Sequence, residues 1–186
     1  MSTTRKVAVI VGSLRKGSYN RMTAKALAAL APASLQLEIV EIGQLPLYNQ
    51  DDDDSPRPEW VAFRDKVRAA DAVLFVTPEY NRSVPGVLKN AIDVGSRPYG
   101  HSVWDRKPGA VISVSVGAIG GFGANHHLRQ SCVFLNMPIM QQPEAYLGGA
   151  ASLFDKEGNI TNEDTRKHLK NFVDAFAAWI EATIAR

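Results

Sequence analysis

Three short runs of the chain are predominantly apolar. The first is Val7-Ala8-Val9-Ile10-Val11, and the others fall at residues 72–77 and 110–116. Such runs predict strands buried on both faces, over residues 6–11, 72–77 and 110–116. Residues 35–42 behave differently: Leu35, Leu37 and Ile39 alternate with Gln36 and Glu38, which predicts a strand with one more polar face. Between the strands the period lengthens to that of a helix. Met22, Ala26, Leu27 and Leu30 share one side of a helix over 20–30 that Pro32 stops. Trp60, Phe63 and Val67 mark a second helix running to about residue 70, after a polar loop at 43–58. A third helix is predicted over 85–94, with proline near its first turn. A fourth runs from the glycine-rich loop at 117–123 to about residue 136. A last short strand, interrupted by Pro143, is expected within 139–147. A final amphipathic helix from about Thr161 turns Leu169, Phe172, Val173, Phe176 and Ile180 inward, and Thr161 with Asp164 resembles a capping box.

Five strands alternating with helices predict an α/β fold: a doubly wound, five-stranded parallel sheet with helices on both faces. In such sheets ligands sit beyond the carboxyl ends of the strands, near the point where strand order reverses. Three loops leave three strands at that end, at residues 12–20, 78–85 and 115–123. With 186 residues the chain is expected to form one domain, 1–186.

The first loop, Gly12-Ser13-Leu14-Arg15-Lys16-Gly17-Ser18-Tyr19-Asn20, joins a buried strand to a helix N-terminus, an arrangement suited to a phosphate. A triphosphate loop needs Lys then Ser or Thr after its second glycine, and Gly17 is followed by Ser18. A dinucleotide loop needs glycine at position 14, where this chain has Leu14. Two alternatives remain: side-chain donors around one terminal monophosphate, or an ordinary strand–helix turn. In the second loop, Pro78 holds its predecessor extended and Tyr80 offers a flat face to a planar ring. The backbone of Glu79, Tyr80 and Asn81 is placed to bond that ring's edge, and the alternative is a turn whose tyrosine caps the core. In the third loop, Ser115 and the glycines from Gly117 to Gly123 allow close backbone approach and free N–H groups. Its alternative is a flexible connection.

Charge and composition narrow the classes. The net charge is +2, with 45% hydrophobic and 22% charged residues. That is too small a charge, with no basic aromatic-interleaved cluster, to argue for nucleic acid. A single cysteine, Cys132, excludes an internal disulfide and fits a reducing compartment. The opening segment Met1 to Lys6 leads into an apolar run too short for a membrane span, so no membrane association and a cytoplasmic location are expected. The run Asp51, Asp52, Asp53 and Asp54 reads as solvated loop charge rather than a metal cluster. Adjacent His126 and His127 point to different sides of a helix, and no metal site is expected. Cys132 reads as a small buried residue. Trp60, Trp104 and Trp179 read as core or interface packing.

Taken together, the 12–20 loop, Pro78-Glu79-Tyr80-Asn81 and Leu88-Lys89-Asn90-Ala91-Ile92-Asp93 resemble the NADPH-dependent FMN reductase family, and within it the bacterial quinone and chromate reductases. The likeness runs on through His127-Leu128-Arg129-Gln130 and Pro143-Glu144. It implies a flavodoxin-like fold, non-covalent FMN, and NADPH or NADH as electron donor. It also implies homodimers that pair into homotetramers, with the cofactor near the dimer interface and Arg129 and Glu144 as partners across a subunit boundary. By position, Ser13, Arg15, Ser18 and Asn20 hold the phosphate. Pro78, Glu79, Tyr80 and Asn81 line the flavin ring, and Ser115 and Gly117 complete the site. Tyr80, Asn81 and Arg82 border the electron acceptor.

The implied reaction is a ping-pong hydride transfer to quinones and, less selectively, to chromate, azo compounds or flavins. No side chain need act as acid or base, so no catalytic residue is assigned. Two other readings fit the same fold: a non-enzymatic FMN electron carrier of flavodoxin type, against which the balanced charge argues, and a regulatory domain without flavin.

Overall fold

The computed structural model describes residues 4–185, so Met1, Ser2 and Thr3 of the opening segment lie outside the described residues. Ten main elements alternate. They are β1 (Arg5–Val11), α1 (Tyr19–Leu30), β2 (Leu35–Val40), α2 (Pro58–Arg68), β3 (Ala72–Thr77), α3 (Gly86–Gly95), β4 (Gly109–Val114), α4 (Phe122–Phe134), β5 (Ala145–Leu147) and α5 (Glu163–Ile184). The strands form one sheet in the order β2-β1-β3-β4-β5, and every pairing is parallel. This is the flavodoxin-like order, with its switch point between β1 and β3.

The apolar runs explain the two-sided core. Successive side chains of a strand point to opposite faces. Val7, Val9 and Val11 of β1, with Leu74 and Val76 of β3 and Ile112 of β4, pack under α1 and α5. Ala8 and Ile10, with Val73, Phe75 and Val111, pack under α2, α3 and α4. Trp60 and Trp104 are fully buried on the second side. The Trp104 indole donates to the Ile92 carbonyl at 2.9 Å, and its ring lies 5.7 Å from Phe75. Trp179 is half-buried and donates to the Pro138 carbonyl at 3.0 Å. Among the described residues no helix is long and apolar enough to cross a membrane.

Several boundaries move. β4 ends at Val114, although the Ser115 N–H still reaches the Leu147 carbonyl at 2.9 Å, and Val116 is exposed. β2 stops at Val40, although Ile42 stays buried. The fifth strand shrinks to Ala145–Leu147, and Ile139 forms only an isolated bridge with Gly109. The last helix is capped by Asn162, whose side chain accepts from the Thr165 N–H at 2.8 Å. The Thr161 hydroxyl donates instead to the Ser152 carbonyl, so the Thr161–Asp164 capping box does not form. Arg64 was not foreseen inside. Its guanidinium lies over the Trp60 ring, and its Nε donates to the Val94 carbonyl at 2.8 Å. The acidic run is also less solvated than expected: Asp53 accepts from the Tyr48 hydroxyl and has one buried oxygen, while Asp52 pairs with Arg57.

Close packing around Trp104 gives a stability test. A Cβ added at Gly95 meets the Trp104 ring at 2.5 Å, whereas one at Gly86 meets nothing within 4 Å. Gly95→Ala is expected to lower unfolding free energy by about 1–3 kcal/mol through overpacking. Gly86→Ala is expected to be neutral or slightly stabilising in the same urea titration.

Candidate active site

The carboxyl ends of β1, β3 and β4 are held level by the ladder: Val11 is in register with Val76, and Thr77 with Ser113. The Gly12 N–H continues the ladder to the Val76 carbonyl at 2.9 Å. A Cβ at Gly12 would lie 3.1 Å from Leu88 and 3.2 Å from Pro78, so the first loop leaves where a larger residue would collide. The three loops meet at one crevice of about 130 Å³. It is lined by Ser13, Arg15, Ser18, Asn20, Pro78, Glu79, Tyr80 and Ser115, and also by Tyr19, Val114 and Val116. A hollow of about 360 Å³ shares Arg15 and Tyr80 with it and adds Gly12, Leu14 and Val87.

The first loop supplies donors. Ser18 caps α1, its hydroxyl oxygen accepting from the Arg21 N–H at 3.2 Å, which leaves the hydroxyl proton to donate elsewhere. Among the described residues the N–H groups of Tyr19 and Asn20 have no protein acceptor, as expected in a first helical turn. Ser13 is buried with no hydrogen bond from its hydroxyl among the described residues, and Arg15 is exposed without an ion pair among them. Asn20 is 5% exposed, and its amide donates to the Val114 carbonyl at 3.4 Å. Free N–H groups, hydroxyls and a guanidinium around a helix N-terminus fit a phosphate monoester.

The second loop differs from its expectation. The Tyr80 N–H donates to the Ser83 carbonyl at 3.0 Å, and the Ser83 N–H to the Tyr80 carbonyl at 2.9 Å. Both backbone groups of Tyr80 are therefore taken up inside a two-residue turn and are not available to a ring edge. Asn81 (φ 51°) and Arg82 (φ 64°) occupy its tip in the left-handed region. Tyr80 still presents an exposed ring, and the exposed Arg82 pairs with Glu79 Oε1 at 3.4 Å. The Glu79 side chain turns toward α4. That helix begins after Gly121, which has no capping side chain, and Glu79 Oε2 accepts from the Ala124 N–H at 3.1 Å in its place. The Ser83 hydroxyl meets His127 Nδ1 at 3.0 Å, so α4 grips both ends of the turn. Gly123 is required at this approach, because a Cβ there would lie 2.9 Å from the Arg82 carbonyl oxygen and 3.0 Å from Glu79 Oε2.

In the third loop, the Ser115 hydroxyl oxygen accepts from the Gly117 N–H at 3.2 Å. Gly117 does not line the crevice itself, and its part is to hold that hydroxyl. Gly120 adopts φ 66° with its Cα against the β5 backbone. Arg129 is turned inward, donating to Asn125 Oδ1 at 2.9 Å and to the Met140 carbonyl at 3.0 Å, while Glu144 is exposed. The two histidines diverge as their adjacency predicts, His126 meeting the Tyr146 hydroxyl at 3.0 Å. Burial, with the Glu144 carboxylate beside it, pushes the Tyr146 phenol up to about 12.

The family model described as NADPH-dependent FMN reductase matches residues 5–152. The chain belongs to the NADPH-dependent FMN reductase family. A quinone reductase of Pseudomonas putida is 68% identical over 182 residues, covering 97% of each chain. A 2-hydroxy-1,4-benzoquinone reductase of a Burkholderia species is 54% identical, covering 94% of this chain and 96% of its own. Among solved structures, FerB, a flavoenzyme NAD(P)H:(acceptor) oxidoreductase from Paracoccus denitrificans, superposes with a TM-score of 0.91 at 43% identity. It covers 97% of this chain and 99% of its own. An FMN reductase of this family is an oxidoreductase that uses FMN with a reduced pyridine nucleotide as donor. The carrier and flavin-free alternatives are thereby set aside.

Cys132 stands apart from this chemistry. It is fully buried under the sheet, and burial pushes its thiol up to about 12. The native FMN reductase is therefore expected to resist a chromogenic disulfide reagent at pH 8 and to release one equivalent of chromophore only after unfolding, since the thiolate is the reactive form.

Proposed function

We propose that this chain is an FMN-dependent NAD(P)H oxidoreductase that reduces quinones and, less selectively, chromate, azo compounds or flavins. The observation that carries the proposal is the convergence of Ser13, Arg15, Ser18, Asn20, Pro78, Glu79, Tyr80 and Ser115 on one crevice beyond three strand ends. Two of the relatives named above are quinone reductases, one at 68% identity over 97% of this chain. The residues from 1 to 186 act as one flavin-binding unit.

Within it, the free N–H groups of Tyr19 and Asn20, the hydroxyls of Ser13 and Ser18 and the Arg15 guanidinium hold the phosphate. Pro78 and the backbone of Glu79 and Asn81 border the flavin ring, with Ser115 held from behind by Gly117. Bound FMN supplies two-electron hydride chemistry that no side chain provides. Tyr80 and Leu14 flank the neighbouring hollow, where donor and acceptor take turns, and Asn81 and Arg82 form the turn tip that follows Tyr80. Alternate use of one hollow makes the kinetics ping-pong.

Assembly as a homodimer or homotetramer belongs to the same proposal. Glu144 is the freer member of the pair expected at a subunit boundary, because Arg129 is tied within its own chain on two nitrogens. A cytoplasmic setting suits the reduced Cys132.

Two measurements test this. Arg15→Ala is expected to weaken FMN binding by roughly 1.5–3 kcal/mol, the range for a hydrogen bond to a charged group. An unchanged dissociation constant in a fluorescence titration removes Arg15 from the phosphate site. Initial rates against NADPH at several quinone concentrations are expected to give parallel double-reciprocal lines, and intersecting lines mean that both substrates bind together.

A further inference from the structure

The hollow beside the crevice is walled in part by Leu14, half exposed, and by Val87 of α3. One turn further along α3 stands Asn90, 8% exposed, which lines neither the hollow nor the crevice. Its side chain bonds a single stretch of backbone. Oδ1 accepts from the Tyr48 N–H at 2.8 Å, and Nδ2 donates to the Pro46 carbonyl at 3.0 Å and to the Leu45 carbonyl at 3.3 Å. The reverse amide orientation would set Oδ1 against two carbonyl oxygens, so the backbone dictates this one. The Trp60 indole of α2 shares the Pro46 carbonyl at 3.0 Å. Residues 45–48, which belong to no helix or strand, are thus strapped to α3 and α2.

The strap reaches the hollow in two steps. The Leu45 N–H donates to the Ile42 carbonyl at 3.3 Å. That bond closes a turn at Gly43 and Gln44, between buried Ile42 and the Leu45 that Asn90 holds. Gly43 in turn lies against Leu14, because an added Cβ there would come within 3.2 Å of a Leu14 methyl carbon. Leu14 therefore has this turn on one flank and the hollow on another. A half-exposed leucine keeps a choice of rotamers unless something packs against it.

We propose that Asn90 is a positioning residue for the choice of electron acceptor: by pinning the strap it holds Gly43 behind Leu14 and so sets how large a quinone the hollow admits. This rests on the oxidoreductase reading above and names what limits the size of its substrate. Asn90 touches neither cofactor nor acceptor, and its effect runs wholly through Leu14.

Double-mutant cycles on the FMN-loaded full chain test this. kcat/KM is measured at saturating NADPH for para-benzoquinone, with one ring, and for menadione, with two. The readout is the ratio of menadione to benzoquinone, in which the concentration of active enzyme cancels, so partial unfolding or loss of FMN does not move it. Gly43→Ala is expected to lower the ratio, because the displaced Leu14 takes up room in the hollow. The change is roughly three- to tenfold, the lower end of what a whole methylene in an apolar pocket is worth. Asn90→Ala, and Asn90→Leu with its similar volume, remove all three strap bonds and are expected to raise the ratio by a similar factor as Leu14 loses its backing. In a Leu14→Ala background both effects vanish. Shifts that persist undiminished beside Leu14→Ala overturn the proposal. So does a ratio that Gly43→Ala or the Asn90 variants leave unmoved or move the other way. Two Asn90 variants that yield no folded protein make that residue structural, and the proposal fails for it. Wild-type protein that binds no FMN, or reduces neither quinone, overturns the oxidoreductase reading itself, an outcome separate from any change in the ratio.

Discussion

The parallel ladder joining β1, β3 and β4 is the constraint on which the site depends. It is built from strands with no polar face, so nothing but two-sided burial satisfies them. Their register brings Val11, Thr77 and Val114 to the same edge of the sheet. From there α1 crosses to the face it shares with α5, while α3 and α4 cover the other. The chain parts at the switch point, and the crevice is the gap this parting leaves. The apolar interior thus positions a polar site to which it contributes almost no polar atoms of its own.

What the sheet leaves imprecise, α4 fixes. Its N-terminus lacks a capping side chain, because Gly121 must adopt φ 79° with its Cα close to Ser113. Glu79 supplies the missing acceptor from another loop, and the same helix holds Ser83 through His127. A carboxylate at a helix N-terminus is favoured by the helix dipole as well as by the hydrogen bond. One helix end therefore ties the second and third loops together.

Much of this was legible in the sequence. The predominantly apolar runs identify three central strands because burial on both faces leaves a pattern that few other structures produce. The three loops could be placed at one end from topology alone, and Ser13, Arg15, Ser18, Asn20, Tyr80 and Ser115 do meet there. The long-range side-chain partners were not legible. Nothing local marks Glu79 as the cap of a helix whose first residue is Phe122, or Ser83 as a partner of His127. The turn at Asn81 and Arg82 was missed because it lacks the glycine that usually announces left-handed backbone. The capping box failed because Asn162, one position on, outcompeted Thr161. Arg64 and Asp53 were misplaced for a related reason: charge in sequence argues for solvent, and only the fold reveals that Trp60 and Tyr48 lie beside them.

The turn at Asn81 and Arg82 shows how the pieces balance. Left-handed conformation costs a non-glycine residue of order 1–3 kcal/mol, less for asparagine than for arginine. Such backbone persists only where its surroundings hold it. Here both ends are gripped by α4, and the paired Tyr80 and Ser83 backbone bonds close the turn between them. The consequence is geometric. With its own N–H and carbonyl taken up, Tyr80 is left with its ring as its only contribution to the crevice, and Arg82 stays exposed while pairing with Glu79 Oε1 at 3.4 Å. The hydrogen bonds from Glu79 and Ser83 to α4 hold that turn where the exposed Tyr80 ring borders the crevice.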